Sequence, residues 1–161
     1  MFNLKAEFYL KIILLFSFIA LISAFFIEYV LGHQPCNLCL IERIPYGLSI
    51  MIIMAIFLIR KNQKFLVMLL ILTFIFSFAI SFYHFGIEQG FFQESSVCGV
   101  KSSTEIVTKE DLLKQLSEKT ISCKDVTFRI FGLSLTSINI VISLLFIITL
   151  LKIFKKYEKN K

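Results

Sequence analysis

The chain alternates between long apolar runs and shorter charged connections. Four runs contain no charged residue: Ile12–Ile27, Ile44–Ile59, Phe65–Ile87 and Ile130–Leu151. The last two hold 23 and 22 residues, enough to cross a hydrocarbon core that needs roughly 20. The first two hold 16 residues each, about 24 Å of helix, and flanking charged side chains can extend the span by reaching the headgroups. The pattern predicts four transmembrane helices, over about 9–30, 44–60, 65–87 and 131–153.

The outward connections between these spans differ in length. The first, about 31–43, is short, whereas the second, about 88–130, is the only long polar segment of the chain. Thr108 is a favourable helix N-cap, and acidic residues follow it in the first turn. Three leucines then fall on one side of the same turns: Leu112, Leu113 and Leu116. The second loop is therefore predicted to hold a short amphipathic helix, which lies on the membrane surface or packs on the bundle.

Composition places the helices in lipid. Of 161 residues, 57% are hydrophobic and only 17% are charged, whereas a soluble domain has about 25% charged residues. The net charge is +6, but no basic stripe interleaved with aromatic residues is present, so no nucleic-acid partner is expected. We interpret residues 1–161 as one all-α integral membrane domain, a four-transmembrane-helix bundle in contact with membrane lipid.

The distribution of Lys and Arg predicts the orientation. Ten basic residues, against Glu7 and Glu158, lie on the side that holds both termini and the turn at 60–64. The 88–129 loop carries six basic and seven acidic residues. Both termini are therefore predicted to be cytoplasmic, with the first run retained as a span because it is longer than a usual signal core. All four cysteines then face outward, where disulfides persist; in a bacterium this is the periplasmic side of the inner membrane.

Cys36 and Cys39 form a CxxC motif just before the second apolar run. Redox chemistry, zinc binding and a structural disulfide all use this motif, but the remaining Cys and His residues show no metal-like spacing, which favours redox chemistry. If a helix begins near Pro35, then Cys36, Cys39 and Arg43 share one face. The positive helix N-terminus and the guanidinium would favour a thiolate, which is the donor in thiol exchange.

Several neighbouring residues allow more than one interpretation. Arg43 could also be an interfacial anchor, and Glu42 could pair with it, face solvent or take part directly. His84 lies near the outward end of the third span and could hydrogen-bond either a cofactor carbonyl or the backbone. Pro45 removes a helical N–H and could separate the cysteine segment from the span proper. Tyr46 is interpreted as an interfacial aromatic residue.

The second pair of cysteines lies in the long polar loop. Cys98 and Cys123 have 24 residues between them. A disulfide joining them would be either a structural staple or a relay beside the CxxC motif. Thiol exchange proceeds through mixed disulfides, so a relay that accepts electrons from a soluble dithiol needs an accessible bond. The relay interpretation therefore predicts an exposed disulfide.

Two segments resemble a known family. Residues 35–43 read PCNLCLIER and match the PCxLCxx[EQ]R signature of the disulfide bond formation protein B (DsbB) family. Residues 123–135 read CKDVTFRIFGLSL and are similar to the end of that family's second loop, where a cysteine precedes an aromatic residue and a GLSL-like helix start. Four spans, cytoplasmic termini and two outward cysteine pairs also agree, so the resemblance covers nearly the whole chain.

The resemblance implies a thiol:quinone oxidoreductase with two redox pairs, Cys36–Cys39 and Cys98–Cys123. A reduced periplasmic partner, a DsbA-like thioredoxin-fold protein, would attack Cys98. Cys123 would then pass the electrons to Cys36. Cys39, as a thiolate supported by Arg43, would donate them to ubiquinone or menaquinone of the quinone pool.

The same resemblance implies a quinone site. Arg43 matches the family's quinone-site arginine, His84 matches a quinone-neighbouring histidine more loosely, and Glu42 joins them as a candidate; no metal ligand is expected. Three rival functions remain. They are a reductase of the vitamin K epoxide reductase type, which the early position of the CxxC disfavours, a Cys/His metal-binding or transport protein, and a non-catalytic scaffold with a stapled loop.

Overall fold

A computed structural model describes residues 4–59, 62–93, 98, 122–124, 129–130 and 132–159. Within these residues the elements are α1 (Leu4–Tyr29), α2 (Asn37–Leu58), α3 (Gln63–Glu88), β1 (Arg129–Ile130), β2 (Leu133–Ser134) and α4 (Leu135–Lys159). Each of the four helices contains a window that is long and apolar enough to cross a membrane. The chain is a four-span all-α membrane protein, which confirms the predicted fold class. Two predicted features lie outside the described residues. They are the amphipathic helix after Thr108 and, in the turn at 60–64, Arg60 and Lys61.

Helix α2 begins at Asn37, earlier than the predicted second span at residue 44. Cys36 is its N-cap, with an extended backbone at φ −72° and ψ 167°. Pro45 lies inside the helix and is buried, so the expectation that it separates the cysteine segment from the span is wrong. A proline removes only one backbone hydrogen bond, which a long helix with a buried proline ring can tolerate. One continuous helix therefore carries both the CxxC motif and the second span.

A two-stranded hairpin precedes α4 and delays its start. Strands β1 and β2 pair antiparallel, and Gly132 in the connection has φ +83°, a region that a residue without Cβ adopts freely. The helix then begins at Leu135, after the predicted position of 131. Ser134 Oγ accepts a hydrogen bond from the Ser137 N–H at 3.2 Å, which caps the new helix.

Apolar packing fills the end of the bundle that carries both termini. The ring of Phe74 on α3 lies edge-on to Phe146 on α4, with 5.0 Å between centroids. Because lipid is as apolar as these side chains, close packing rather than water exclusion holds the helices together here. The fully buried members are Leu10, Ile13, Ile53, Ile56, Val67, Leu70, Phe74 and Leu150.

Hydroxyl and amide side chains join the helices farther along the bundle. Ser17 on α1 and Ser49 on α2 lie 2.9 Å apart, and Ser143 on α4 donates to Ser77 on α3 at 3.1 Å. Small polar residues allow close approach of helices and satisfy one another away from water. The interior thus changes from apolar at the terminal end to polar toward the end that carries the cysteines.

Candidate active site

The cysteine end of the bundle encloses a cavity of about 330 Å³. Its apolar wall comes from α1 and α4, with Phe16, Ile19, Ile138 and Ile142 among the lining residues. Its polar end is formed by the first turns of α2 and the last turns of α3. The side chains at that end are Cys36, Cys39, Glu42, Arg43, His84 and Glu88. The structure therefore brings the whole predicted quinone-site set to one cavity, together with Glu88, which the sequence analysis had left in the loop.

The two sulfurs of the CxxC motif face each other at the N-terminus of α2. Cys36 Sγ and Cys39 Sγ lie 2.8 Å apart, and Cys36 Sγ also accepts from the Cys39 backbone N–H at 3.3 Å. His84 Nε2 lies 3.6 Å from Cys36 Sγ. The hydrogen bond from the Cys39 thiol lowers the pKa of Cys36 to about 5; burial opposes the shift, and His84 adds to it. Cys36, just outside the span, is thus held ready as a thiolate.

The same three residues have the composition of a partial metal site, since their ligand atoms lie within 4.8 Å of one another. A hydrogen-bonded thiolate and imidazole account for this proximity. The short sulfur–sulfur distance also suits conversion between a dithiol and a disulfide with little rearrangement.

Glu42 pairs with His84 rather than with Arg43. Its Oε1 lies 2.8 Å from His84 Nδ1, and its Oε2 accepts from Asn139 Nδ2 at 3.1 Å. Tyr46 donates to the Asn139 side-chain oxygen and is only 7% exposed, so its interpretation as an interfacial aromatic residue is wrong. The signal for Asn139 was in the sequence, because an amide within an uncharged span needs a partner.

Arg43 lines the cavity and forms an ion pair with Glu28 at the end of α1. Its guanidinium carbon lies 5.3 Å from the centroid of the Phe25 ring, also on α1. The arginine and both cysteines line one cavity. Within the described part of the chain, the basic side chain that contacts a CxxC sulfur is His84, whereas Arg43 contacts α1.

Cys98 and Cys123 are joined by a disulfide, with 5.6 Å between their Cα atoms. They are 1% and 2% exposed, so the expectation of an exposed bond is wrong. Both pack in one cluster with Cys36, Leu38 and Ile87, at the facing ends of α2 and α3. The loop disulfide is thus shielded from solvent, and it lies beside the CxxC motif.

Glu88 and Thr136 are the functional candidates that the sequence analysis missed. Glu88 lies one helical turn after His84 on the same face of α3, a spacing that could have identified it. Thr136, in the first turn of α4, donates to Glu88 Oε1 at 2.5 Å. The position of Thr136 beside Glu88 is evident only in the structure, where the hairpin determines the residue at which α4 begins.

A membrane bundle that holds a CxxC pair against a buried disulfide defines a class: membrane-embedded thiol–disulfide oxidoreductases. The family model for the disulfide bond formation protein DsbB matches residues 6–153, so the chain belongs to the DsbB family and is a multi-pass membrane protein of disulfide bond formation. It is also similar to an uncharacterized protein of Rickettsia prowazekii (strain Madrid E). The two are 30% identical over 152 residues, which is 93% of this chain and 88% of the relative. The resemblance noted in the sequence is thereby confirmed.

Proposed function

We propose that this protein reoxidises a periplasmic DsbA-like thiol oxidase and passes the electrons through its two cysteine pairs to ubiquinone or menaquinone. One observation carries the proposal: Cys36 and the Cys98–Cys123 disulfide pack in a single buried cluster. Cys36 and Cys39, in turn, line the same cavity as Arg43. A contiguous path thus leads from the loop disulfide to the cavity.

The exchange steps conserve disulfide bonds. A thiolate of the reduced partner attacks Cys98 Sγ, the Cys98–Cys123 bond breaks, and the second partner thiol completes release of the oxidised partner. Cys123 then attacks Cys36 of an oxidised Cys36–Cys39 pair, and Cys98 restores the loop disulfide. The net result is transfer of two electrons and two protons from the partner to Cys36 and Cys39.

The cavity residues suit a quinone. A volume of about 330 Å³ lies at the small end of the range for ligand pockets, which suits a ring whose tail continues into lipid. The apolar wall would hold the ring, while Arg43 would donate to a carbonyl oxygen. His84, whose two ring nitrogens face Cys36 and Glu42, would line the same end of the site. When bound, the quinone supplies an acceptor for two electrons and two protons. The residues bind and orient it, and the Cys36–Cys39 bond forms as the dithiol is oxidised.

We place the protein in the bacterial inner membrane with both termini cytoplasmic. The ten basic residues on the terminal side support this orientation. The cavity and both cysteine pairs lie at the opposite end of the bundle. This arrangement would place the site at the periplasmic end of the bundle, within reach of the quinone pool.

Quinone reduction by the purified protein tests the proposal. With reduced DsbA-like protein and ubiquinone, loss of quinone absorbance should follow turnover and vanish in Cys39→Ser. Arg43→Ala should lower kcat/KM for quinone about tenfold or more, since a charged hydrogen bond contributes roughly 1.5–3 kcal/mol. Lys11→Ala, an exposed cation paired with Glu7 on α1, is the matched control.

Several outcomes contradict this proposal. Quinone reduction that survives Cys39→Ser refutes the route, and unchanged quinone kinetics in Arg43→Ala removes the role of the arginine. Stoichiometric zinc in chelator-washed protein would favour the metal-binding rival, and the absence of quinone binding would favour the scaffold. In Cys123→Ala the free Cys98 thiolate should attack the disulfide of the oxidised partner. One partner thiol is released, and the resulting mixed disulfide on Cys98 identifies the partner.

A further inference from the structure

The reduced site gathers more negative groups than one cation can neutralise. His84 Nε2 lies 3.6 Å from Cys36 Sγ and 3.9 Å from Glu88 Oε1, and His84 Nδ1 lies 2.8 Å from Glu42 Oε1. If Cys36 is a thiolate and both carboxyl groups are ionised, three negative charges surround a single imidazolium. Buried charges need matching partners, so one of these groups is expected to hold a proton.

The other helices around the site supply no further compensating charge among the described residues. From α1, Glu28 is paired with Arg43 of α2, and His33, in the connection that follows α1, also lines the cavity. From α4, the groups that contact the carboxyl groups are the uncharged Thr136 and Asn139. On these helices, the candidates for holding the excess proton are therefore Cys36, its two carboxylate neighbours and the imidazole.

Glu88 is the carboxyl group with room for that proton. Both oxygens of Glu42 have partners, in His84 and Asn139. In Glu88, Oε1 accepts from Thr136, whereas Oε2 is buried and has no hydrogen-bond partner in the described part of the chain. The side chain is 5% exposed and lines the same cavity as both sulfurs. A protonated Oε2 would be neutral and would turn an orphaned acceptor into a donor facing the reacting groups.

We propose that Glu88 takes up a proton on Oε2 when the CxxC pair is reduced and Cys36 becomes a thiolate. Glu88 releases this proton when the pair is reoxidised. Reduction brings two electrons and two protons: Cys39 keeps one proton as a thiol, and Glu88 takes the other. On reoxidation the Cys39 S–H bond breaks, the Cys36–Cys39 bond forms, and both protons leave with the two electrons. The identity of the acceptor rests on the proposed function, but proton uptake by Glu88 concerns the reduced protein alone.

Infrared difference spectroscopy tests the uptake directly. The sample is the full chain without quinone or partner, and the spectrum of the oxidised state is subtracted from that of the dithiothreitol-reduced state. A C=O stretching band of a protonated carboxyl group should appear on reduction, shift in D₂O and vanish in Glu88→Gln. Glu7→Gln makes the same change at a part-exposed carboxylate paired with Lys11, and it should keep the band.

The absence of such a band in the unmodified protein, or its survival in Glu88→Gln, overturns the proposal. If Glu88→Gln does not fold, Thr136→Val provides the test, because it removes the hydrogen bond to Oε1. The band of a carboxyl group that has lost a hydrogen bond must move. An unmoved band in Thr136→Val also overturns the assignment.

A kinetic readout separates this role from quinone binding. Glu88→Gln should slow oxidation of the reduced CxxC pair by saturating ubiquinone about a hundredfold or more, the lower end of general acid–base effects, while the Kd for ubiquinone stays unchanged. If the CxxC pair of Glu88→Gln is oxidised as fast as that of Glu7→Gln, the role is contradicted. It is also contradicted if a weaker Kd for ubiquinone fully accounts for the loss of rate. If the unmodified protein failed to reduce quinone, the proposed function would fall while the infrared result on the quinone-free protein would stand.

Discussion

At the scale of single residues, position relative to a helix terminus separates two otherwise similar cysteines. Cys36 caps α2 and accepts hydrogen bonds from the Cys39 backbone N–H and thiol, whereas Cys39 lies inside the first turn. His84 comes from another helix and strengthens the difference. The CxxC motif therefore acquires its chemistry from its place in the bundle as well as from its spacing.

The first prediction concerns the reactivity of Cys36. Because its pKa is lowered to about 5, its thiolate persists as the pH falls from 9 and is lost only near pH 5. Alkylation of reduced Cys36 by iodoacetamide, followed by mass spectrometry, should therefore be nearly constant between pH 6 and 9. His84→Ala should raise the pKa and make alkylation depend on pH in this range. His33→Ala is the control, since His33 is not among the groups that lower this pKa. A tenfold loss of alkylation rate per pH unit below 9 in the unmodified protein would contradict the assignment.

At the scale of the elements, helix ends place the functional side chains. The end of α3 is closed by hydrogen bonds from the N–H groups of Phe91 and Phe92 to the Gly86 carbonyl. Gly90 in this turn has φ +77°. The turn fixes the last helical residues, among them Glu88, at the cavity. A substitution in the turn should therefore act on stability through backbone conformation.

Two glycine substitutions should shift stability in opposite directions. Gly90→Ala should destabilise the protein by about 1–2 kcal/mol, because a side chain disfavours positive φ. Gly47→Ala, inside α2 with nothing within 4 Å of the added Cβ, should stabilise it by about 0.5–1 kcal/mol. Thermal unfolding in detergent measures both. A Gly90→Ala variant as stable as Gly47→Ala would show that the strained turn does not limit stability.

At the scale of the whole molecule, polar contacts hold three helices in one register. Asn139 on α4 donates to Ser81 on α3 at 2.7 Å and to Glu42 on α2 at 3.1 Å. Ser143, one turn along α4, joins Ser77 on α3. These contacts connect the apolar end of the bundle with the site and fix the position of α4 against α3.

A matched pair of serine substitutions tests these contacts. Ser143→Ala removes the interhelical hydrogen bond to Ser77 and should destabilise the bundle by about 0.6–1.7 kcal/mol. Ser23→Ala removes an exposed hydroxyl that donates to the Ile19 carbonyl of its own helix, and it should change stability little. Unfolding by denaturing detergent compares them. Equal stability of the two variants would mean that the interior contact contributes nothing measurable.

The membrane orientation has its own test. A thiol reagent that cannot cross the membrane should label reduced Cys36 and Cys39 from the periplasmic side of spheroplasts. A cysteine introduced as Lys64→Cys, at the start of α3 and the opposite end of the bundle, should remain unlabelled under the same conditions. Labelling of the CxxC motif only from the cytoplasm would invert the orientation and remove the proposed function.

Much of the site could be predicted because its signals are local. The PCNLCLIER segment placed Cys36, Cys39, Glu42 and Arg43, and the uncharged run that ends at Ile87, three residues after His84, placed the outward end of α3. The exact beginning of α2 was missed, because Pro45 and the charges at 42–43 are typical of a helix boundary although here they lie inside the helix. Hydropathy indicates where the contact with lipid ends, but it does not indicate at which residue the hydrogen bonding of the helix begins.

The sequence by itself determined the four spans, the predicted orientation and the membership of the DsbB family, because each follows from neighbouring residues along the chain. The tertiary structure decided which side chains contact one another. Cys36 contacts His84 across 48 residues, and Asn139 reaches Glu42 across 97, so both contacts depend on how the helices pack. The burial of the loop disulfide and the unpartnered oxygen of Glu88 are likewise properties of that packing, since no local pattern fixes which groups a buried side chain will meet.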